Sequence, residues 1–443
     1  YLTIIDIGTT FSGSCFSYVK DNKSIVHVIK WPNQRSNDTF EKTPTACLYN
    51  KETPPQLLKW GKDATNYLQT NPNDPNVVFV EQFKLNLKED FCQQAGREKL
   101  EIYRTAAIDF LREINKYTCD QLNQTVDPDS SSDHTNKCRY VLTVPATWVN
   151  KDILMMRDIA IEANLIDASH DPEERLIIID EAHAASLFCK REYCMMDDGS
   201  TSKLSQGERY MVCDAGGGTV DLATYECTGS EHESSKISHC QLALESGGYC
   251  GSTFLDKNME RYLRDHVFIG CIEENVVRFL IDQFVNEIKS EIGMDQNILE
   301  TLSLKGDIVV HNGIKQLRIS KINISKYVFD PIIEEVIALI EKQISKSHTI
   351  IDTLFLLGGF GQSPYLHKKL HEEFITSSNT VKNLIVPEDG YRASMRGGIY
   401  YGIDCVESIP KLSLKDDEGN CIPNPNLFFR MLVAIGMLLF MCV

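Results

Sequence analysis

Two glycine- and threonine-rich turns, each with an aspartate, are the segments of this 443-residue chain best suited to chemistry. The first reads D-I-G-T-T at residues 6–10, and the second reads D-A-G-G-G-T-V-D at residues 214–221. Glycine lets the backbone approach a phosphate closely with its N–H groups directed at the oxygens, and threonine adds a hydroxyl donor. The residues predicted to surround phosphate are Gly8, Thr9, Thr10, Gly216, Gly217, Gly218 and Thr219.

Asp6 and Asp214 supply hard oxygen ligands of the kind that Mg²⁺ prefers. Two phosphate turns with one carboxylate each predict a clamp for a magnesium nucleotide. Either turn alone is also compatible with a plain hairpin, so the prediction depends on their occurring together. Because each turn follows an apolar run that ends in aspartate, the pattern also predicts two similar half-domains that meet across a ligand cleft.

A third glycine segment, L-G-G-F-G-Q-S-P at residues 357–364, follows a predicted strand and precedes a predicted helix. Adjacent glycines allow a flat base or ribose to lie against the backbone. The predicted contacts are Gly358, Gly359 and Gly361. The alternative is an ordinary strand-to-helix turn with Pro364 in the first helical turn.

Alternating and helical apolar patterns place these turns in an α/β chain. A polar stretch at 120–137 is predicted to be a surface loop, and a second one at 194–208 marks a predicted lobe boundary. Lys305 to Ile319 is predicted to form a hairpin about Asn312-Gly313. The other predicted strands are 1–6, 14–19, 24–29, 139–143, 176–179, 210–214 and 353–357, and the predicted helices are 98–117, 150–164, 182–190, 253–266, 273–292, 324–347 and 364–374.

Composition limits the classes of partner. The chain has 45 basic and 62 acidic residues and a net charge of −17, which disfavours nucleic acid because affinity for its backbone comes from Lys and Arg. A triphosphate is not disfavoured in the same way, since Mg²⁺ and a few local groups can hold it. The 15 cysteines include no C-x-x-C pair, so they predict buried free thiols in a reducing, cytoplasmic compartment rather than a zinc site.

The three glycine segments, in this order, resemble the phosphate-1, phosphate-2 and adenosine motifs of the actin-like ATPase superfamily, and most closely those of the heat-shock protein 70 nucleotide-binding domain. L-T-V-P-A at 142–146 and I-I-D-E-A-H-A-A at 178–185 look like that family's V-P-A strand end and connecting helix. The resemblance runs from about residue 3 to 404. F-K-L-N-L at 83–87 and G-G-Y-C-G-S-T at 247–253 suggest the divergent subfamily typified by heat shock 70 kDa protein 12.

The resemblance implies a two-lobed α/β fold with a ribonuclease-H-like core in each lobe and a nucleotide cleft between the lobes. The first lobe is expected at 1–192 plus 385–405 and the second at 193–384. The expected ligands are ATP or ADP and Mg²⁺.

Residue roles follow from the resemblance alone. Asp6 and Asp214 would position Mg²⁺ and its waters, and Asp221 would be the second carboxylate of the phosphate-2 turn. Lys84 would contact phosphate, although a solvated surface lysine is the alternative. Glu181 would orient the attacking water, and its alternative is a helix N-terminal acid favoured by the helix dipole.

The sequence departs from the family pattern at several positions. Ala182 stands where the family has proline, His183 where it usually has threonine, and Phe360-Gly361 where it has serine–threonine. The family's base-clamping Glu and Lys do not align unambiguously with residues 283–289, and Lys289 is the predicted lysine of that pair. These departures bear on nucleotide affinity and on hydrolysis rate more than on the fold.

Three functions are compatible with these patterns. The first is a slow Mg²⁺-dependent ATPase that uses its nucleotide to switch between lobe arrangements. The second is a scaffold that binds nucleotide without hydrolysing it, and the third is a small-molecule kinase. Retention of Asp6, Asp214 and Glu181 favours the ATPase. A kinase needs a base beside an acceptor pocket, and the chain shows no sugar-binding signature. The sequence identifies no protein partner.

The two ends of the chain carry separate expectations. No basic segment with a cleavage site precedes the first strand, so no signal peptide is expected. About forty residues follow Gly402, too few for the family's peptide-binding β-sandwich and helical lid. Residues 406–426 read as a linker, and the apolar stretch 427–443 is either a short membrane anchor, a helix docked on the surface, or a tail produced by a truncated end.

Overall fold

The computed structural model places the three glycine segments within one compact unit, Tyr1–Gly402, and divides off a second unit, Ile403–Val443. The residues that it describes are 1–20, 23–32, 40–72, 74–88, 97–126, 138–167, 175–194, 204–228, 238–269, 273–290, 292–293, 301–310, 314–408, 414–415 and 421–422.

The first sheet is built around a fully buried strand, Leu2–Asp6 (β1), whose five residues have no exposed side chain. Its order is β3-β2-β1-β8-β9, and β4 pairs with β2. β1 runs antiparallel to β2 and parallel to β8, so Asp6 lies at the end of the central strand. The remaining bounds are Phe11–Lys20 (β2), Lys23–Val28 (β3), Thr43–Pro44 (β4), Ala46–Asn50 (β5), Leu57–Trp60 (β6), Val77–Glu81 (β7), Arg139–Val144 (β8) and Leu176–Asp180 (β9).

A second sheet repeats this arrangement and confirms the internal repeat seen in the sequence. Its order is β12-β11-β10-β15-β16, with β10 antiparallel to β11 and parallel to β15. Asp214 lies near the end of its central strand, as Asp6 does in the first sheet. The bounds are Arg209–Ala215 (β10), Val220–Thr228 (β11), Ser238–Gly248 (β12), Thr301–Val310 (β13), Ile314–Ser320 (β14), Ile351–Leu357 (β15) and Val381–Ile385 (β16).

Smaller sheets complete the strand inventory of the described residues. β5 lies between β6 and β7, and β13 pairs with β14 in the predicted hairpin, whose turn at 311–313 lies outside the described residues. In the second unit, Leu414–Lys415 (β17) pairs with Cys421–Ile422 (β18).

Helices pack on the two main sheets, and each sheet has its own buried apolar cluster, one including Phe16, Phe110 and Tyr140 and the other Met211, Phe284 and Leu356. The helices are Gly61–Thr70 (α1), Phe83–Asn86 (α2), Arg97–Val126 (α3), Asn150–Glu162 (α4), Glu181–Cys194 (α5), Thr253–Tyr262 (α6), Glu274–Gln283 (α7), Lys321–Ile324 (α8), Asp330–Ser347 (α9), Gly358–Gly361 (α10), Pro364–Leu370 (α11) and Ala393–Ser408 (α12). Shorter helical turns are Leu263–Val267, Phe284–Ile288, Ser325–Phe329, His371–Ser377 and Gly390–Arg392.

The predicted end of the third helix is wrong. The polar composition after residue 117 predicted a loop from residue 120, but α3 continues to Val126. Cys119 and Leu122 are buried, and Leu122 packs in the core of the first sheet while Asp120 is exposed. One buried face is enough to extend a helix through an otherwise polar sequence. The rest of the predicted loop, 127–137, lies outside the described residues.

Within the described residues, no helix has both the length and the apolar character that crossing a membrane requires. The predicted apolar tail 427–443 and most of the predicted linker 406–426 lie outside those residues. Both therefore stay predictions.

Candidate functional site

The two glycine–threonine turns lie against each other, although they belong to different sheets. A β-carbon added to Gly217 would come within 3.0 Å of the Thr10 side chain, and one added to Gly218 would come equally close to Thr9. Side chains larger than hydrogen would therefore collide at both positions. The structure brings together the two segments that the sequence predicted to share a ligand.

Hydrogen bonds fix the backbone of the second turn and leave its donors available. The carbonyls of Gly216, Gly217 and Gly218 accept from the amides of residues 252, 253 and 251 at 3.1, 2.8 and 3.3 Å. Within the described part of the chain, the amide N–H groups of Gly217 and Gly218 have no acceptor. Free N–H groups at a tight glycine turn form an anion-binding concavity, so this turn can take phosphate oxygens.

Asp6 lies at the centre of a buried polar network and is 3% exposed. Its Oδ2 accepts a hydrogen bond from the Lys42 ammonium at 2.8 Å, and its Oδ1 accepts from the Thr143 hydroxyl at 2.6 Å. Burial alone would raise the pKa of Asp6, but the charges of Lys42 and Lys84 and these two hydrogen bonds hold that pKa below its ordinary value. Asp6 is therefore ionised and able to serve as a cation ligand.

Asp214 occupies the matching position in the second sheet and is 7% exposed. The Ser394 hydroxyl donates to its Oδ2. Burial first, and then the nearby charge of Glu181, raise the pKa of Asp214 to about 7. A carboxyl with this pKa favours a cation nearby at neutral pH, because a cation restores the ionised form.

Lys84 and Glu181 form a buried ion pair between helices α2 and α5. Lys84 is 3% exposed, so the alternative of a solvated surface lysine is wrong. Burial raises the pKa of Glu181, and the positive charge of Lys84 opposes that rise. Since Glu181 is also the first residue of α5, its position is favourable for the helix dipole as well.

Asp221 lies directly opposite Asp214 in the β10–β11 ladder and is fully buried. Its Oδ1 accepts a hydrogen bond from the Ala146 amide at 2.8 Å, whereas its Oδ2 has no hydrogen-bond partner among the described residues. Burial and then the charge of Glu181 raise the pKa of Asp221 well above its ordinary value. Ala146 follows strand β8, so Asp221 connects the two sheets beside the candidate site.

The third glycine segment lies beside the second turn. Gly358 has a φ of +78°, and a β-carbon there would come within 3.0 Å of both Asp214 Oδ1 and the Ala215 carbonyl. Only glycine fits this close, left-handed approach. Gly359 has open space where its side chain would be, and Gly361 would meet Leu356 at 3.3 Å. Of residues 358–361 only Gly359 is exposed, one position after the glycine that touches Asp214.

The Lys289 side chain hydrogen-bonds to the segment that follows the second turn. Its ammonium donates to the Ser252 carbonyl and to Asp256 Oδ1, both at 2.6 Å. Burial lowers the pKa of Lys289, and the charge of Asp256 opposes that change. The Ser252 amide in turn bonds the Gly216 carbonyl, so Lys289 lies two hydrogen bonds away from the phosphate-2 turn. Its predicted role toward the base stays a prediction.

Sequence reasoning missed three residues that hold the aspartates: Lys42, Thr143 and Ser394. Lys42 lies outside any motif, before the two-residue strand β4, and no local pattern identifies it. Ser394 lies in the small-residue stretch that opens α12, and a small polar residue there was the available signal. Thr143 lies in the recognised strand end at 142–146, but the last five residues of that strand are all buried, so no local pattern singled out its hydroxyl.

The site carries more negative than positive charge. Asp6, Asp214, Asp221 and Glu181 face Lys42 and Lys84 within a buried region, and three of the four carboxyl pKa values are raised. Within the described residues, no cluster of three or more His, Cys, Asp or Glu side chains could hold a metal ion by itself. Mg²⁺ is usually bound by one or two carboxylates together with waters and substrate phosphates, which is the donor set that Asp6 and Asp214 offer.

Asp180 positions the helix that carries Glu181. Its Oδ1 accepts a hydrogen bond from the His183 amide at 2.7 Å, as an N-cap side chain does. Burial raises the pKa of Asp180 to about 6 from 3.8, even though this hydrogen bond lowers it. A carboxyl whose pKa is higher in the folded state destabilises the fold progressively as pH rises from about 4 to about 6.

We therefore expect Asp180→Asn to gain stability relative to the parent chain as pH rises from 4 to 7, by on the order of 2–3 kcal/mol. Asparagine keeps the cap and removes the titration. Thermal unfolding of both proteins at pH 4.5 and 7 measures the difference. A difference in melting temperature that does not change with pH would show that Asp180 is not the titrating group.

Comparison with known proteins finds a consistent set of relatives, while no family model matches the chain. Heat shock 70 kDa protein 12A of Mus musculus is 23% identical, and the match covers 90% of this chain and 69% of that protein. The Homo sapiens protein of the same name is 24% identical with the same coverage. Heat shock 70 kDa protein 12B of Homo sapiens is 24% identical, over 90% of this chain and 68% of that protein. The mixed α/β architecture is consistent with an actin-like fold.

Proposed function

We propose that this chain, which is related to the heat-shock-protein-70-like proteins, is a nucleotide module that binds Mg·ATP between two lobes and hydrolyses it slowly to ADP and phosphate. One observation carries the proposal. Two glycine–threonine turns from different sheets meet at Thr10 and Gly217, and the second turn presents amide N–H groups there that have no acceptor among the described residues. A triphosphate is the ligand that matches donors converging from both sides.

The two turns and the adenosine turn divide the nucleotide between them. Thr9 and Thr10 would bind the terminal phosphates from one lobe, and Gly217 and Gly218 would bind them from the other. The glycine turn Gly358–Gly361, whose exposed residue is Gly359, would carry the adenosine next to Asp214. In this arrangement each lobe is a ribonuclease-H-like core, and the nucleotide joins the two.

Asp6 and Asp214 would hold Mg²⁺, directly or through its waters, and the ion would neutralise charge on the phosphates. The excess of carboxylates fits this assignment, as does Oδ2 of the buried Asp221, which has no hydrogen-bond partner in the described part of the chain. Lys42, which now neutralises Asp6, would be free to approach a phosphate when a cation replaces it.

Glu181 would orient the attacking water. Phosphoryl transfer depends mainly on positioning and on charge stabilisation, so a carboxylate that holds a water in line is sufficient. Lys84 would leave Glu181 and direct its charge at the terminal phosphate. Since the two side chains are already paired, nucleotide binding has to compete with that ion pair, and this competition favours slow turnover.

The same ion pair supports a second candidate, a scaffold that binds nucleotide without hydrolysis. If Lys84 retains Glu181 in the bound state, Glu181 is not available to orient water. His183, where the family usually has threonine, hydrogen-bonds Tyr225 at 3.0 Å and so fixes the start of the same helix in place.

One experiment tests both candidates. We expect the purified chain to bind ATP in the presence of Mg²⁺, and a chelator to weaken that binding at least tenfold, about 1.4 kcal/mol. Phosphate release should then be measurable but slower than about 1 s⁻¹, the low end of typical turnover. Calorimetry gives the affinities for ATP and ADP, and a phosphate assay gives the rate. Absence of binding would overturn the proposal, and binding without turnover would select the scaffold.

A further inference from the structure

An ion pair outside the predicted motifs lies beside Lys42. The Arg392 guanidinium donates to the Glu41 carboxylate, and the two residues are 351 positions apart in the chain. Both side chains are largely buried, with 19% and 23% of their surface exposed. Lys42 directly follows Glu41, and its ammonium lies 2.8 Å from Asp6 Oδ2. The pair is therefore next to the residue that neutralises Asp6.

The same pair ties together the two segments that contact the candidate cation ligands. On one side, the Glu41 carbonyl accepts a hydrogen bond from the indole of the buried Trp31 at 3.1 Å. On the other side, Arg392 ends the helical turn that precedes α12. Ser394, two residues further along, donates to Asp214. Lys42 on Asp6 and Ser394 on Asp214 are thus connected through one ion pair.

Both carboxylate oxygens of Asp6 already have partners. Lys42 donates to Oδ2 at 2.8 Å, and the Thr143 hydroxyl donates to Oδ1 at 2.6 Å. The Lys42 and Asp6 side chains are 12% and 4% exposed. A cation that approaches Asp6 therefore meets the positive charge of Lys42 at close range, where little water screens the repulsion. Binding of Mg²⁺ at Asp6 requires Lys42 to move away.

We propose that Glu41 and Arg392 are positioning residues that hold Lys42 on Asp6 and thereby set how strongly ATP binding depends on Mg²⁺. This inference rests on the proposed function, because it concerns the same nucleotide site. Arg392 holds the Glu41 side chain and Trp31 holds its carbonyl, so the backbone from which Lys42 extends is fixed. While the pair is intact, Lys42 stays on Asp6 and competes with the metal. When the pair is broken, Lys42 gains conformations that leave Asp6 open.

The test measures two affinities of each purified full chain by calorimetry, one for Mg·ATP and one for ATP with a chelator. We expect Arg392→Gln to raise the ratio of the first affinity to the second by about three- to fivefold, which is the size of effect that a partly exposed ion pair can have. Glu41→Gln should raise the ratio equally. The double variant should raise it no further, because both changes break the same pair. A purely structural loss would lower both affinities together and leave their ratio unchanged.

Three further variants make the test specific. Lys42→Met removes the competing charge and should raise the ratio at least about tenfold. Arg392→Lys keeps a positive charge opposite Glu41 and should return the ratio toward that of the parent chain. Arg104→Gln breaks an ion pair between α3 and α4 and should leave the ratio at the parent value. Melting temperatures without nucleotide report on the folding of every variant.

Each failure has a distinct meaning. An unchanged ratio in Arg392→Gln, with ATP still bound, would overturn this inference and leave the proposed function standing. Equal rises in Arg392→Gln and Arg104→Gln would also contradict it, because the Glu41–Arg392 pair would then have no special connection with Lys42. Failure of the parent chain to bind ATP under either condition would overturn both the inference and the proposed function.

Discussion

Replacing Glu181 with glutamine is expected to lower ATP turnover by at least about a hundredfold while ATP affinity stays the same or improves slightly. A water-orienting carboxylate acts in the transition state, so its loss appears in the rate and not in ground-state binding. Affinity can improve because the buried Lys84 would lose its partner charge and attract the terminal phosphate more strongly. Phosphate release measures the rate, and calorimetry measures the affinity.

The matched control lies on the same helix. Glu192→Gln also replaces a carboxylate in α5, but Glu192 contacts Arg396 and the Tyr400 hydroxyl rather than Lys84, and it should keep full turnover. Thermal unfolding of both variants separates loss of chemistry from loss of structure, which matters because removing one member of a buried ion pair destabilises a fold. Equal turnover in Glu181→Gln and its parent would mean that Glu181 does not orient the attacking water and is only a helix N-terminal acid.

The sequence predicted both main sheets because the signal is local. A short apolar run that ends in aspartate and is followed by glycine and threonine identifies a strand, its end and its turn within ten residues. The structure repeats that unit at Leu2–Asp6 and Arg209–Ala215. The contact between the turns also followed from the sequence, since two copies of one unit were predicted to share a ligand.

The partners of the aspartates could not be predicted in this way. Lys42 reaches Asp6 from a segment without regular structure, and Ser394 reaches Asp214 from 180 positions along the chain. Such contacts depend on tertiary packing, which the local pattern of a single sequence does not predict. The predicted loop from residue 120 was wrong for the same reason. Burial of Leu122 in the core outweighed the polar composition around it, and α3 continues to Val126.

The Lys84–Glu181 pair shows what the structure adds to the sequence motifs. The short F-K-L match left a solvated lysine as an alternative, and burial removes that alternative. The structure also supplies a feature that no motif contains, namely that the two residues predicted to act on phosphate and on water are already bonded to each other. In the proposed function, hydrolysis would require this ion pair to break, which is a physical reason to expect slow turnover.

Replacing Gly217 with valine is expected to weaken ATP binding at least tenfold, about 1.4 kcal/mol, in a chain that still folds. A β-carbon at Gly217 would overlap the Thr10 side chain, and the branched methyls would fill the space that the phosphates need. The fold should survive because the collision is with the Thr10 side chain rather than with backbone. Calorimetry with Mg·ATP measures the loss, and the melting temperature without nucleotide reports on folding.

Gly207→Val is the control for this substitution. Gly207 has a φ of +83° and open space around it, so valine there strains the backbone without entering the candidate site. Both variants should lose some stability, but only Gly217→Val should lose nucleotide affinity. If the two bind ATP equally well, the phosphates do not lie at Gly217, and the assignment of the nucleotide to the meeting point of the two turns is wrong.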